Sequence, residues 1–191
     1  MLVLSELILK LIIIYPKNDR IIKSTKSETS NLDPLTETYN ISFYLQYLAR
    51  WPDLFSVQVS PHNKLMGYVM GKTEGTGKNW HGHVTAITVA PEYRRLGLAD
   101  GMMNLLEEVS EKTYNGWFVD LYVRMSNSVA IDMYRKFGYS VYRRVRNYYA
   151  GHTNEDAYDM RKSLPRDTQR ETIRENGEKV FINPEDLDSW R

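Results

Sequence analysis

The chain reads VTAITVAPEYRRLGLA from Val84 to Ala99, and this stretch decides the fold. Its first part is rich in β-branched and apolar residues, which indicates a strand that ends at Ala90-Pro91. The apolar positions change phase between Ala86 and Ile87, so either both faces of the strand are buried or a bulge intervenes. Both alternatives suit a central strand.

The end of the stretch predicts a basic helix start, with the order Arg94-Arg95-Leu96-Gly97-Leu98-Ala99. Backbone N–H groups at a helix start bind anions, and neighbouring arginines favour a pyrophosphate. The spacing differs from both the Walker loop and the dinucleotide fingerprint. Taken alone, the motif also fits a helix start whose arginines pair with surface carboxylates. The residues therefore predict an anion site and leave its ligand open.

Two amphipathic helices follow, separated by a strand. The first has the apolar period of a helix packed on a sheet; the residues are Leu98, Met102, Leu105, Leu106 and Val109. Phe118 to Arg124 alternates as a strand should. Ser126 is predicted to cap the second helix, which ends at Gly138, where a left-handed residue is wanted. Asn127 and Tyr134 are predicted to lie on one face of that helix.

The other predicted elements complete a mixed sheet. They are a helix over 43–51, strands over 54–59 and 65–72, a loop over 73–79, and late strands over 139–143 and 157–162. The resulting order lacks the even alternation of strands and helices of a Rossmann domain, so the fold class is α/β with a mixed central sheet. From Pro165 onward charges of both signs dominate, and a mobile tail is expected.

Composition excludes several function classes. The 191 residues carry 25 Lys and Arg against 24 Asp and Glu, so no whole-chain field holds nucleic acid or an anionic membrane. The absence of cysteine removes disulfides, thiolate zinc sites and a cysteine nucleophile, and it fits a reducing compartment. A hydrophobic content of 42% is that of a globular chain.

The N-terminal segment is a separate problem. Met1 to Tyr15 is apolar but interrupted by Glu6 and Lys10, so it fits a buried strand or helix, or a non-native leader, better than a signal peptide or a membrane anchor. Lys17 to Asn31 is polar and has the composition of a linker. We therefore expect an atypical leader over 1–30, a catalytic domain over 31–164 and a charged flexible tail over 165–191.

The two strand-helix units resemble the acetyl-CoA site of the GNAT acyltransferase superfamily. Further motifs are similar to those of the catalytic subunits of NatB N-terminal acetyltransferases: LDPLTETY at 32–39, FYLQYL at 43–48, WHGHVTA at 80–86, Tyr148-Tyr149, and EDAYDMRK at 155–162. The resemblance covers roughly residues 31 to 168. It departs from the family before Leu32, where the chain is too short for the usual strand and helix, and this puts docking of the helper subunit in question.

The resemblance implies a GNAT fold whose sheet is splayed at the acetyl-CoA site, and it implies acetyl-CoA as co-substrate with no metal. The implied cofactor-binding residues are Ile87, Val89, Arg94, Arg95, Gly97, Leu98, Ala99 and Asn127. The implied catalytic residues are Tyr134 and His83. The implied substrate-binding residues are Glu37, Tyr39, His81, Thr85, Tyr148 and Tyr149.

Residue chemistry supports part of this assignment. Forming an amide from a thioester and an α-amine needs a neutral amine of pKa ~7.7 to 8.0, so a mild base such as His83 is adequate, directly or through water. Alternatively His81 and His83 are ordinary strand residues; a zinc site is disfavoured because no third type of ligand is nearby in the sequence. Tyr134 could donate to the leaving thiolate or simply pack in the core. Asn127 could bind the cofactor arm or only cap a helix, and Tyr148-Tyr149 could bind peptide or only stack.

The resemblance also implies substrates that begin Met-Asp, Met-Glu, Met-Asn or Met-Gln. It implies a helical-repeat auxiliary subunit, association with the ribosome and a cytoplasmic location, without direct binding to nucleic acid or membrane. Two alternatives stay open: a GNAT enzyme that acetylates a lysine or a small amine, and a non-catalytic module that binds acetyl-CoA or a helical partner. Residue reasoning alone reaches only acyl transfer to an amine.

Overall fold

The computed structural model describes residues 39–62, 64–150 and 154–187. This part of the chain contains three α-helices and seven β-strands joined by short 3₁₀ turns. The helices are α1 (Ile41–Arg50), α2 (Leu98–Lys112) and α3 (Ser128–Lys136). The strands are β1 (Phe55–Val59), β2 (Leu65–Glu74), β3 (His81–Val89), β4 (Phe118–Arg124), β5 (Ser140–Tyr149), β6 (Glu155–Ser163) and β7 (Phe181–Ile182). The leader, and every prediction made for it, lies outside the described residues.

The strands form a mixed sheet in the order β1-β2-β3-β4-β6-β5-β7. β1 with β2, β4 with β6 and β5 with β6 are antiparallel, whereas β3 with β4 and β5 with β7 are parallel. This confirms the predicted α/β class with a mixed sheet. Among the described helices, none is long and apolar enough to cross a membrane.

Two strand boundaries differ from prediction in a way that matters for function. The segment predicted as a loop over 73–79 is strand up to Glu74, and β3 begins at His81 rather than Val84. Residues 81–84 are all buried, although two of them are histidines. Sequence reasoning ended the strand where polar residues began, because it did not foresee buried polar partners for them.

The chain divides into two compact units, and the first contains the described residues up to Lys72 together with Thr85–Leu106. Its helix α1 is capped by the Asn40 side chain, which accepts from the Phe43 N–H at 2.9 Å. One face of α1 packs on the first two strands. The core there consists of Tyr44, Leu48, Phe55, Tyr68 and Met70. Each such side chain contributes about 1.5 to 3 kcal/mol by leaving water, which fixes the helix on the sheet.

The second unit contains Thr73–Val84 and the chain from Glu107 onward. Its core is built on β4, whose Phe118, Val119 and Leu121 are each about 1% exposed or less. The predicted cap of α3 at Ser126 is wrong: Asn127 is the N-cap, and its Oδ1 accepts from the Ala130 N–H at 3.2 Å. The end of the helix is confirmed, since Gly138 has φ +91°.

The predicted mobile tail is wrong for residues 165–187. Asp167 is 3% exposed and accepts hydrogen bonds from the Ser163 hydroxyl, the Glu171 N–H, and both the N–H and the hydroxyl of Thr172. Further on, β7 pairs with β5 through Phe181 and Ile182. The charged composition misled the prediction because a charged side chain here organises its own segment instead of facing water.

We expect Asp167→Ala to lower the free energy of unfolding by about 2 to 3 kcal/mol, because it leaves buried donors without an acceptor. Burial alone would raise the pKa of Asp167, but hydrogen bonds from Thr172, Glu171 and Ser163 outweigh burial and lower it. The stabilisation is therefore present above the unfolded pKa of about 3.9 and is lost as pH falls through the lower folded value. Urea denaturation between pH 3 and 7 measures both effects.

The matched control is Asp186→Ala, which removes a carboxylate from an exposed position in a 3₁₀ turn of the same segment. We expect it to change stability by less than about 0.5 kcal/mol. Equal effects of the two substitutions would mean that residues 165–187 are not packed as described.

Candidate active site

The predicted anion site lies in the first unit, in the turn between β3 and α2. After the 3₁₀ turn Pro91–Tyr93, Arg95 and Gly97 have φ of +63° and +78°, and α2 begins at Leu98. The Arg94 Nε donates to the Val89 carbonyl at 3.2 Å, which holds this arginine against the end of β3. The first N–H groups of α2 have no carbonyl four residues earlier in the helix to bind, so the turn has the donors of an anion site.

Gly97 is the residue whose type is most constrained in this turn. A Cβ built on it meets nothing within 4 Å, so the protein itself leaves room for a side chain. Its positive φ is the conformation that glycine tolerates best. Glycine is therefore favoured here by the backbone conformation and not by internal packing.

Residues 85–89 of β3 also belong to the first unit. Thr85, Ile87 and Val89 alternate along one face, and all three are half-buried. The Thr85 hydroxyl donates to the Tyr47 hydroxyl at 3.2 Å, a partner that sequence reasoning missed. Tyr39 stacks on Phe43 with ring centroids 4.3 Å apart. Glu37, the other residue predicted in this region, lies outside the described residues.

In the second unit, the parallel pairing of β3 with β4 places His83 opposite Asp120. Their side chains meet: His83 Nδ1 lies 2.7 Å from Asp120 Oδ1. Asp120 is 3% exposed and His83 is 9% exposed. Sequence reasoning missed Asp120, although an acidic residue within the alternating strand 118–124 was an available signal.

His81 lies beside the same carboxylate and is 4% exposed. Its Nδ1 is 2.6 Å from the Asn79 carbonyl oxygen, its Nε2 is 3.4 Å from Asp120 Oδ1 and 3.8 Å from Glu74 Oε1, and its ring stacks on Phe118. Both ring nitrogens thus face protein atoms, which does not favour the predicted direct contact with substrate.

The charged groups of this cluster shift one another's pKa values. Burial would lower the pKa of His81, but the nearby carboxylates of Asp120 and Glu74 and the contact with the Asn79 carbonyl outweigh it and raise the value. Burial would raise the pKa of Asp120, but the two imidazoles hold it well below its usual range. Asp120 is therefore a buried carboxylate, stabilised by at least one positive charge.

The sequence-based reason for excluding a metal at His81 and His83 is wrong. Glu74 supplies a third type of ligand, and donor atoms of the three residues lie within 4.8 Å of one another. However, the nitrogen of His83 nearest to the carboxylates is Nδ1, which shares a hydrogen with Asp120. A cation there would replace that hydrogen bond, so the contacts describe a hydrogen-bonded ion network.

Aromatic rings extend from His83 toward the end of β5. The Tyr122 ring lies 5.7 Å from His83 and stacks on Tyr148 at 4.7 Å, and Tyr148 meets Tyr149 edge-on. The Tyr149 hydroxyl donates to the Tyr122 carbonyl at 3.2 Å. Of the predicted pair, Tyr148 therefore stacks and Tyr149 does not, and both contact Tyr122, which sequence reasoning missed.

A small polar pocket adjoins the ion network. It is lined by Glu74, Asn79, His81, Phe118, Asp120, Tyr122, Arg143 and Arg161. Arg143 and Arg161 both bind Asp159, which is fully buried on β6. The two arginines that line the pocket are therefore paired with a buried carboxylate of β6.

Tyr134 and Asn127 lie on α3 and at its cap. Tyr134 is 7% exposed, and burial raises the pKa of its phenol above the usual value of 10.0. Such a phenol keeps its proton at neutral pH and is a donor. Asn127 uses its Oδ1 to cap the helix, which supports the capping role and leaves a ligand role as a prediction.

Comparison with known proteins places this chain in a family. The acetyltransferase (GNAT) family model matches residues 20–139. The N-alpha-acetyltransferase 20 of Dictyostelium discoideum is 62% identical over 148 residues, covering 78% of this chain and 84% of its own. The catalytic subunit naa20 of the N-terminal acetyltransferase B complex of Schizosaccharomyces pombe is 61% identical over 161 residues, covering 82% and 89%.

Solved structures agree with these relatives. The crystal structure of Chaetomium thermophilum Naa20 in complex with a bisubstrate analogue matches with a TM-score of 0.78 at 47% identity, over 82% of this chain and 90% of that chain. The NatB acetyltransferase complex bound to a bisubstrate inhibitor matches with a TM-score of 0.73 at 44% identity, over 82% and 89%. The chain therefore belongs to the acetyltransferase (GNAT) family and, within it, to the catalytic subunits of N-terminal acetyltransferase B.

Proposed function

We propose that this protein transfers the acetyl group of acetyl-CoA to the α-amine of protein N termini that begin Met-Asp, Met-Glu, Met-Asn or Met-Gln. The observation that carries the proposal is the 62% identity to a relative named N-alpha-acetyltransferase 20. Because relatives of about 60% identity are named N-terminal acetyltransferases, an N-terminal amine is favoured over a lysine or a small amine as the acceptor. A bisubstrate analogue bound to the similar Naa20 structure supports a site that holds both substrates.

We assign the pyrophosphate of acetyl-CoA to the turn before α2. The residues present fit an anion: two arginines flank the helix start, the first amides of α2 are suitable donors, and open space surrounds Gly97. Leu98 and Ala99 would supply the amides, while Ile87 and Val89 on β3 would lie along the pantetheine arm. A contact from Asn127 remains part of the same prediction.

The chemistry needs one base and one acid. The amine nitrogen attacks the thioester carbonyl, a C–N bond forms and the C–S bond breaks, so that the amine loses a proton and the thiolate gains one. We assign proton removal to His83, directly or through water, and proton donation to Tyr134. Tyr134 carries its proton at neutral pH and can donate it to the sulfur as negative charge develops there, although its raised pKa makes it a weaker acid than an exposed tyrosine.

Recognition of the peptide is assigned to polar groups. Tyr148 and Tyr149 at the end of β5 would contact the first residues of the peptide, with Glu37, Tyr39 and Thr85 as further predicted contacts. A site that satisfies a buried polar side chain rejects an apolar replacement strongly, because its own donors are then left unpaired. This is the physical basis for a preference at the second residue.

The proposal of a partner rests on the similar solved structures. A similar solved structure is that of the NatB acetyltransferase complex, and we propose that this chain also joins an auxiliary subunit. A helical-repeat architecture of that subunit, association with the ribosome and a cytoplasmic location belong to the same proposal. The domain limits at 31–164 likewise remain predictions.

Gly97→Glu should weaken acetyl-CoA binding by at least about tenfold, because a side chain and a negative charge would meet the pyrophosphate. Isothermal titration with CoA measures this. The matched control is Gly77→Glu, since Gly77 also has a positive φ and open space around its Cβ but lies in the turn before β3. Unchanged affinity in the Gly97 variant, or an equal loss in both, would show that the pyrophosphate binds elsewhere.

Tyr134→Phe should lower kcat by about 10² to 10⁴ with little change in peptide affinity, as expected when a proton is donated mainly in the transition state. Steady-state kinetics and peptide titration separate the two quantities. Tyr139→Phe is the control. Tyr139 is also buried, its ring centroid lies 6.0 Å from that of Tyr134, and its hydroxyl donates to the Glu107 carboxylate. An unchanged kcat in the Tyr134 variant would return this residue to a packing role.

Met-Asp and Met-Glu peptides should outcompete Met-Leu and Ser-Glu peptides, and Tyr148→Phe should reduce the ratio of Met-Asp to Met-Leu. The experiment measures ratios of kcat/KM in a competition assay, with and without an auxiliary subunit. Tyr142→Phe serves as the control on the same strand, where the tyrosine stacks with Arg161 and Arg174. Equal ratios for all four peptides, or a preference for Ser-Glu, would contradict the proposed specificity and leave the family unchanged.

A further inference from the structure

The network around Asp120 contains two histidines whose protonation states differ. Asp120 Oδ1 faces His83 Nδ1 at 2.7 Å and His81 Nε2 at 3.4 Å, and the carboxylate is 3% exposed. A carboxylate taken out of water is very costly unless it is paired and hydrogen-bonded. A positive charge on one of the two imidazoles, whose nitrogens lie within 3.4 Å of this carboxylate, meets that requirement.

The contacts of His81 identify it as the charged ring. Its Nδ1 lies 2.6 Å from the Asn79 carbonyl, which can only accept, so Nδ1 carries a hydrogen. Its Nε2 faces Asp120 and Glu74, and an unprotonated nitrogen there would oppose its lone pair to two anions. Both nitrogens therefore carry hydrogens, in agreement with the raised pKa of His81.

The contacts of His83 identify it as the ring that can accept a proton. A carboxylate at 2.7 Å from Nδ1 holds the hydrogen on that nitrogen, and a neutral ring then has its lone pair on Nε2. The side chain is 11% exposed, so the ring lies at the edge of the buried network.

We propose that Asp120 is a positioning residue that fixes His83 with its lone pair on Nε2, and that His81 is a buried imidazolium which keeps His83 neutral. The inference rests on the proposed function in that His83 is taken as the base. It assigns to His81 a role in charge balance instead of substrate contact. It also gives a reason for two histidines two residues apart on β3, where one charged and one neutral ring are needed.

Other groups near the network act on it from neighbouring strands. Glu74 on β2 lies 3.9 Å from His83 Nδ1, and Tyr122 on β4 stands beside the His83 ring. Arg143 on β5 and Arg161 on β6 line the adjoining pocket. Arg161 and Tyr139 also interact electrostatically with Asp120. These groups are unchanged in the variants below, so the variants compare the effect of one charge at a time.

The proposal predicts shifts in opposite directions for two substitutions. His81→Gln removes the positive charge, so Asp120 favours a second proton on the base more strongly and the acid limb of kcat/KM moves to higher pH. Asp120→Asn removes the negative charge, so the acid limb moves to lower pH, and kcat at the plateau falls by about 10²-fold or more because the tautomer is no longer held. Asp167→Asn, at another buried carboxylate, whose partners are Ser163, Glu171 and Thr172, controls for lost stability and should leave the limb in place.

A second measurement does not depend on activity. Nitrogen NMR of ¹⁵N-histidine-labelled protein at pH 7, assigned with His81→Gln and His83→Gln, should show both nitrogens of His81 protonated and only Nδ1 of His83 protonated. If the NMR agrees but peptides are not acetylated, the proposed function fails and the charge assignment stands. The inference would be overturned by a neutral His81 or by a hydrogen on Nε2 of neutral His83. Acid limbs that do not shift in opposite directions in the two variants would also overturn it. So would stoichiometric Zn²⁺ that survives dialysis and is lost in His83→Gln.

Discussion

The parallel pairing of β3 with β4 is the constraint on which the second unit depends. It joins Gly82–Val84 to Val119–Leu121 and sets His83 directly opposite Asp120. A shift of one residue would turn His83 to the other face and break the 2.7 Å contact. The close approach of α2 to β3 needs Gly82, because a Cβ there would lie 2.1 Å from Ser110 Oγ on α2. Backbone register, a glycine and a buried carboxylate thus specify one arrangement together.

Element types were predictable from the sequence because hydrophobic periodicity is a local signal. Phe118–Arg124 has the predicted bounds, and the helix after Gly97 begins at the predicted Leu98. Partners were not predictable, since Asp120 is 37 residues from His83 along the chain and alternation shows a face without showing what lies opposite. Tyr47 and Tyr122 were missed for the same reason. The resemblance to a family supplied site residues that spacing could not.

Charge composition was the weakest guide. It predicted a mobile segment after Pro165 because charged residues of both signs usually face water. The structure instead places Asp167 inside a loop as the acceptor of several local donors, and stacks Phe181 under the guanidinium groups of Arg144 and Arg146. Counting charges cannot distinguish these cases, because the outcome depends on whether each charge finds a partner on folding.

Burial is used in two opposite ways in the second unit. Tyr134 is buried, and desolvation raises the pKa of its phenol, so it carries its proton at neutral pH and is the proposed acid, though a weaker one than an exposed tyrosine. His83 is also buried, but a carboxylate contacts one of its nitrogens, so the ring is oriented and its other nitrogen can accept a proton. Two groups with a similar degree of burial thus acquire opposite proposed roles from what lies beside them. In the proposed charge arrangement, the imidazolium of His81 also faces Asp120 and balances the charge of the carboxylate that orients the base.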